Sequence, residues 1–296
     1  MKRIRIVHRT AYHYLKPVLF GPHTALMRPR EGHDVHITRA RLEVEPDASL
    51  RWYRDIYGNS IAILTFPQEQ RSNRLVLSSE VDVDLYDDPA TDWGIDPMAQ
   101  SYPFQYDSDE QVEIVPYRLP SYPHDGHAVQ RWLRNLYEPG QFTSTSELLN
   151  TLNTQIFKSF RYVRREEAGV QAPCQTLALG TGSCRDYAVF MMEAARHWGF
   201  AARFVTGYIQ MGEGQHGATH AWTEIYLPGA GWRGFDPTNN KLAGAEHVSV
   251  GVARDHEKAC PLHGSWKGPR GAFDRLEVSV QVFRLDDPVD PPGAAE

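Results

Sequence analysis

Cys184 is the residue of this chain best placed for chemistry. It lies in Gly180-Thr181-Gly182-Ser183-Cys184-Arg185-Asp186-Tyr187-Ala188, where a helical pattern begins. A helix N-terminus carries partial positive charge and unpaired N–H groups, and both favour a thiolate over a thiol. A free cysteine titrates at about 8.5, and such placements lower it to about 3.5–7.5. Ser183 is an expected N-cap, with Asp186 three residues on in the manner of a capping box. His220 opens a strand-like run, and Asp236 closes the next one. A cysteine, a histidine and an aspartate are the parts of an activated thiol: a nucleophile, a base, and a carboxylate that fixes the base's tautomer.

Each assignment competes with a plainer reading. Cys184 could be a buried structural cysteine, a common fate of that residue. His220 is one of 13 histidines, and His216 is its nearest competitor. Asp236 precedes Pro237, a frequent place for a turn aspartate. Geometry adds a condition. If the runs 219–227 and 232–235 form an antiparallel hairpin, His220 and Asp236 share a face only with an odd loop or a bulge. A four-residue loop at 228–231 would set Asp236 opposite Thr223, on the wrong face. A three- or five-residue loop, or a bulge, is therefore expected.

These residues carry a family resemblance. The segment Gly182–Ala188 resembles the nucleophile motif of the transglutaminase-like superfamily, and the run Arg196–Tyr208 resembles its continuation. His220-Ala221-Trp222-Thr223-Glu224 resembles the histidine motif, and Gly231-Trp232-Arg233-Gly234-Phe235-Asp236-Pro237-Thr238 the aspartate motif. The resemblance implies a papain-like core with a triad of Cys184, His220 and Asp236. Tyr12-His13-Tyr14, Pro17-Val18, Leu26-Met27-Arg28-Pro29-Arg30 and Asp55-Ile56-Tyr57-Gly58-Asn59 resemble the N-terminal β region found before bacterial cores of this kind.

The elements that must position the triad follow from periodicity. Ala40, Leu42 and Val44 alternate with charged residues, as do Val81, Val83 and Leu85. These are half-buried strands. Tyr86–Tyr122, rich in Pro, Asp and Tyr, reads as a linker. Ala128, Trp132 and Leu136 share one helical face. Ser146 is expected to cap a second helix bearing Leu148, Leu149, Leu152, Ile156 and Phe157. The Cys184 helix should bury Tyr187, Ala188, Met191, Met192 and Ala195 and end at Gly199. Strands follow, and Leu276, Val278, Val280 and Val282 form a terminal one. The fold class is α+β: an N-terminal all-β domain, then a transglutaminase-like core. The expected boundaries are 1–117 for the β domain with its linker, 118–270 for the core, and 271–296 for a C-terminal strand on a sheet edge.

Composition narrows the function. The chain has 296 residues, 41% hydrophobic, with a formal net charge of −6. That is enough for a sizeable core, and no long basic run points to nucleic acid. The N-terminus alternates charged and apolar residues, unlike a signal peptide, and no apolar run approaches a membrane span. Cys174, Cys184 and Cys260 are too few for a disulfide framework, so a reducing cytoplasm is expected. His216/His220 and Cys260/His263 have spacings that occur in zinc sites, but they lie in irregular segments. No metal and no cofactor is expected. No compact acidic run offers calcium ligands.

The expected function is a cysteine enzyme that cleaves or transfers peptide or amide acyl groups through a thioacyl intermediate. The resemblance to bacterial members favours a peptidase or amidase acting on a protein or peptide. Alternatives are protein-glutamine cross-linking or other acyl transfer, and a catalytically silent binding module on the same fold.

Overall fold

The computed structural model describes residues 1–86, 93–165, 167–210 and 218–285. Its first sheet is organised by one long strand, β1 (Lys2–Ala25). Around it run β2 (Val35–Glu45), β3 (Ser49–Arg54), β4 (Ser60–Thr65) and β5 (Arg71–Leu85), in the order β2-β5-β1-β4-β3. Period-two alternation explains the pairing. Ile4 and Ile6 turn inward with Val81 and Val83, while Arg3 and Arg5 stand directly opposite Asp84 and Asp82 and pair with them at 2.6 and 2.7 Å. The β1–β5 register breaks between His13 and Val18, where Pro17 has no N–H to give a ladder.

The core follows. Helices α1 (Ser108–Arg118), α2 (Gly126–Leu133), α3 (Thr145–Ser159), α4 (Pro173–Leu179) and α5 (Cys184–His197) precede a second antiparallel sheet. Its strands are β6 (Ala201–Ile209), β7 (Ala218–Leu227), β8 (Gly231–Asp236), β9 (Lys241–Leu242) and β10 (His247–Ala253), in the order β9-β8-β7-β6-β10. Helix α5 buries Tyr187, Ala188, Met191, Met192 and Ala195 as expected, and Val189, Phe190 and Ala194 as well. A helix buried on nearly every side is a central one. It lies against the sheet face of Ala221 and Ile225, where Thr223 Oγ1 donates to Ala188 O at 2.7 Å.

Several elements depart from the sequence reading. The expected linker contains α1, whose Ile114 and the preceding Tyr106 are buried beside Ala201. A buried ion pair ties this region to α5. Arg196 Nη1 meets Glu193 at 2.9 Å, and Glu193 accepts from the backbone N–H groups of Ser121 and Tyr122. Arg196 also donates to the carbonyls of Tyr117, Ala202 and Arg254. The cap of α3 is Ser144, which accepts from Glu147 N, rather than Ser146.

The chain ends return to its beginning. β11 (Leu262–Lys267), placed by sequence in the core, pairs with the second half of β1. β12 (Phe273–Arg284), the terminal strand, pairs with β1 from Ile4 to Tyr14. Among the described residues, no helix is long and apolar enough to cross a membrane.

The two sheets meet through the segments that carried the N-terminal resemblance. Asn59 is fully buried and bonds both backbone groups of Val252 on the outer edge of β10: its Nδ2 donates to Val252 O at 2.8 Å, and its Oδ1 accepts from Val252 N at 2.9 Å. Asp55 holds that turn by accepting from Asn59 N and Nδ2. Arg30 Nη1 donates to Asn59 Oδ1, and its own N–H reaches Ser249 O. Tyr57 packs on the cluster of Val205, Trp222 and Val252.

Candidate active site

Cys184 is the first residue of α5. The turn before it is fixed by Asp186, whose carboxylate is fully buried. Ser183 is the N-cap, in a capping box with Asp186: Asp186 Oδ2 accepts from both Ser183 N and Ser183 Oγ at 2.8 Å. Asp186 Oδ1 accepts from Arg165 Nη1 at 2.6 Å and Gln171 N at 2.7 Å. One carboxylate thus fastens the loop before α4 to the turn that leads into Cys184. Residues 161–162 add a short parallel bridge to 181–182.

The glycines of this turn serve packing. Gly180 ends α4 at φ +62, a conformation few side chains tolerate. A Cβ on Gly182 would lie 3.0 Å from Asp186 Cβ and 3.2 Å from the Tyr187 ring. Gln175, the upstream polar residue, uses its Oε1 to accept from Ala172 N at the start of α4.

The hairpin that carries the other two residues has the odd loop that the geometry requires. Leu227 pairs with Gly231 and Thr223 with Phe235, leaving a three-residue loop, Pro228-Gly229-Ala230. Gly229 and Gly231 both take positive φ there. This register places Asp236 opposite Trp222 and on the face of His220. His220 Nε2 and Asp236 Oδ2 lie 2.8 Å apart. The Cys184 side chain is a neighbour of the ring that favours its charged form. With Nε2 facing Asp236, Nδ1 is the ring nitrogen left free to serve a thiol.

Electrostatics follow from this geometry. Burial disfavours a charged His220 ring, but the hydrogen bond to Asp236 and the neighbouring Cys184 outweigh it and push its pKa up to about 9. Burial likewise opposes the Asp236 charge, and bonds from His220, His247 and Asn239 overcome it, holding the carboxyl well below its usual range. Tyr162, half exposed, has its hydroxyl pKa raised by burial and by the neighbouring Cys184.

Two site residues were not singled out by the sequence reading. Asn239 Nδ2 donates to Asp236 Oδ2 at 2.6 Å and lies 3.4 Å from His220 Nε2. His247 Nε2 lies 3.0 Å from the same Asp236 oxygen. The signal for His247 was a histidine at the head of an alternating strand, which alone is weak. Trp222, part of the histidine motif, stacks on His220 and meets His247 edge-on. Gly207 leaves it room, since a Cβ there would sit 2.7 Å from the indole.

The remaining sequence candidates separate from the site. His220, Asp236 and His247 are a set whose ligand atoms could gather on a metal ion. Both rings, however, aim at one carboxylate oxygen at hydrogen-bond distance, so the set is already satisfied without one. His216 lies outside the described residues. Cys260 Sγ donates to Leu262 O, and His263 pairs with Thr24 on the first sheet. Cys174 has its thiol pKa raised, first by a hydrogen bond to Asp125.

Comparison with known proteins agrees with this architecture. Residues 4–84 match the bacterial transglutaminase-like N-terminal region, and residues 138–237 match the transglutaminase-like superfamily. An uncharacterized protein of Mycobacterium leprae is 25% identical over 291 residues, covering 96% of this chain and all of its own. One from Mycobacterium tuberculosis is 26% identical over 305 residues, covering 96% and 94%. Among solved structures, a candidate cysteine protease from Cytophaga hutchinsonii superposes with a TM-score of 0.71 at 18% identity, over 98% of this chain and 93% of its own. At that identity the likeness speaks for the fold alone. Residues 138–237 are thus a transglutaminase-like superfamily core, preceded over residues 4–84 by a bacterial transglutaminase-like N-terminal region.

Proposed function

We propose that this chain is a cysteine hydrolase of peptide or amide bonds, with Cys184 as nucleophile, His220 as general base and acid, and Asp236 as the group that orients His220. The observation that carries this reading is the buried His220 ring hydrogen-bonded to the buried Asp236 carboxylate, with Cys184, the first residue of α5, as the neighbour that favours its charge. His220, a base held by Asp236, takes the thiol proton as the nucleophile forms.

The sulfur attacks the carbonyl carbon, forming the C–S bond, while the carbonyl electron pair moves to oxygen. Unpaired N–H groups at the start of α5 suit that oxyanion. As the C–N bond breaks, the imidazolium gives its proton to the departing nitrogen. Water then attacks the thioester, His220 takes the water's proton, and the thiolate leaves with the C–S electrons. The products are a carboxylate and an amine. The fold shared with a candidate cysteine protease favours peptide substrates. A reducing cytoplasm would keep the thiol in its working state.

The test joins labelling to turnover. Intact-mass analysis with limiting iodoacetamide at pH 7 should find Cys184 modified first, ahead of Cys174 and Cys260. Cys184→Ala should abolish peptide cleavage without unfolding the chain. Equal labelling of the three thiols would remove the reading. Products carrying an added amine in place of water would move it to acyl transfer.

A further inference from the structure

We propose that His247 is a positioning residue of this site, a neutral imidazole that acts on His220 through Asp236. The inference rests on the nucleophile assignment above. His247 is the first residue of β10, eleven residues beyond Asp236, and its side chain is only 2% exposed. Its Nδ1 accepts a long hydrogen bond, 3.4 Å, from the backbone N–H of Gly244. A backbone N–H can only donate, so Nδ1 carries the lone pair and Nε2 the proton. Nε2 therefore donates to Asp236 Oδ2.

Asp236 accepts five hydrogen bonds in all. Oδ1 takes the N–H groups of Thr238 and Asn239, and Oδ2 takes His220, Asn239 Nδ2 and His247. Thr238 and Asn239 belong to the turn that follows Asp236, and they move with it. His220 ties the carboxylate to the adjacent β7, and His247 ties it to a strand on the far side of β6 from β7. Its ring is wedged against Trp222, with centroids 5.2 Å apart. The carboxylate is thus held so that Oδ2 faces His220, as an oriented base requires. The charged groups around His247 are Asp236 and His220 in the site, and Glu246, paired with Lys241, at its own turn.

The experiment compares two amides in the full chain. The side-chain amide nitrogen of His247→Gln reaches about the level of Nε2, whereas that of His247→Asn stops near Nδ1. Cys184 alkylation is followed against pH, with circular dichroism to confirm the fold. The Gln profile should overlay the wild type. The Asn profile should rise about one pH unit higher, a roughly tenfold loss of labelling at pH 6. Gly244→Pro, which removes the N–H that fixes the tautomer, should shift in the same direction, with Gly244→Ala as control; open space surrounds a Cβ there. That pair decides if the Asn chain does not fold. Gln and Asn profiles that coincide, or an Asn profile displaced toward lower pH, would overturn the proposal. A wild-type profile that rises only near an ordinary thiol pKa would instead fail the nucleophile reading itself.

Discussion

Each of the two sheets carries a buried histidine, and the two rings are tuned in opposite directions. His8, in the middle of β1, bonds the Tyr208 hydroxyl and Thr10 Oγ1, each at 2.9 Å. Burial pushes its pKa down to about 4. His220 is almost as buried, yet its pKa is raised to about 9. Hydroxyl partners satisfy a neutral ring. A carboxylate and a thiol favour a charged one. Burial therefore does not make a histidine reactive; its partners decide, and only the core supplies an anion.

The sharpest way to break this contrast is to turn His220 into a second His8. Asp236→Asn keeps the shape and removes the charge. Peptide turnover should fall roughly 10²–10⁴-fold. By NMR titration, the His220 ring should fall from about 9 to below its ordinary 6.5. A ring still titrating near 9 would mean that Asp236 is not the source of its basicity.

Ion pairs repeat the contrast in stability. Arg196→Met would leave Glu193 charged and buried in the core, at a cost of about 3–5 kcal/mol by urea denaturation. Arg5→Met on the first sheet would break a pair whose arginine is one-third exposed, and should cost about 1 kcal/mol or less. Equal losses would show that the two environments screen charge alike.

The contrast extends to the pH dependence of folding. His8 is depressed from 6.5 to about 4, so its contribution is intact above 6.5 and is lost as pH falls through 4. His220 is raised from 6.5 to about 9, so its contribution is full below 6.5 and is lost as pH rises through 9. Denaturation at pH 5, 7.5 and 9.5 should show His8→Gln flattening only the acid side of the curve and His220→Gln only the alkaline side. The same flattening in both variants would contradict the assignment of the two shifts.

Much of this was legible because it is local. The odd hairpin loop follows from side-chain parity once His220 and Asp236 are required on one face, and Leu227 opposite Gly231 meets that condition. The α5 start is marked by Ser183, Asp186 and the apolar spacing that follows. What escaped depends on distant partners. Helix α1 holds Pro116 and exposes Val112 and Val115, so its periodicity is faint; the α5 residues Glu193 and Arg196 help fix the segment that follows it. Ser144 and Ser146 are equally plausible caps by type, and only the extended backbone at Ser144 separates them. His247 reaches Asp236 across a turn that spacing alone cannot shape.

The side-chain amide of Asn59 stands in for a neighbouring strand. It offers the β10 edge one donor and one acceptor at Val252, as another β-strand would. An uncovered edge of that kind is a template for pairing with other chains. The first sheet thus covers that edge. The second sheet and its helices, severed from it, would expose the Val252 groups together with the apolar face of Val205 and Trp222, and should associate edge to edge.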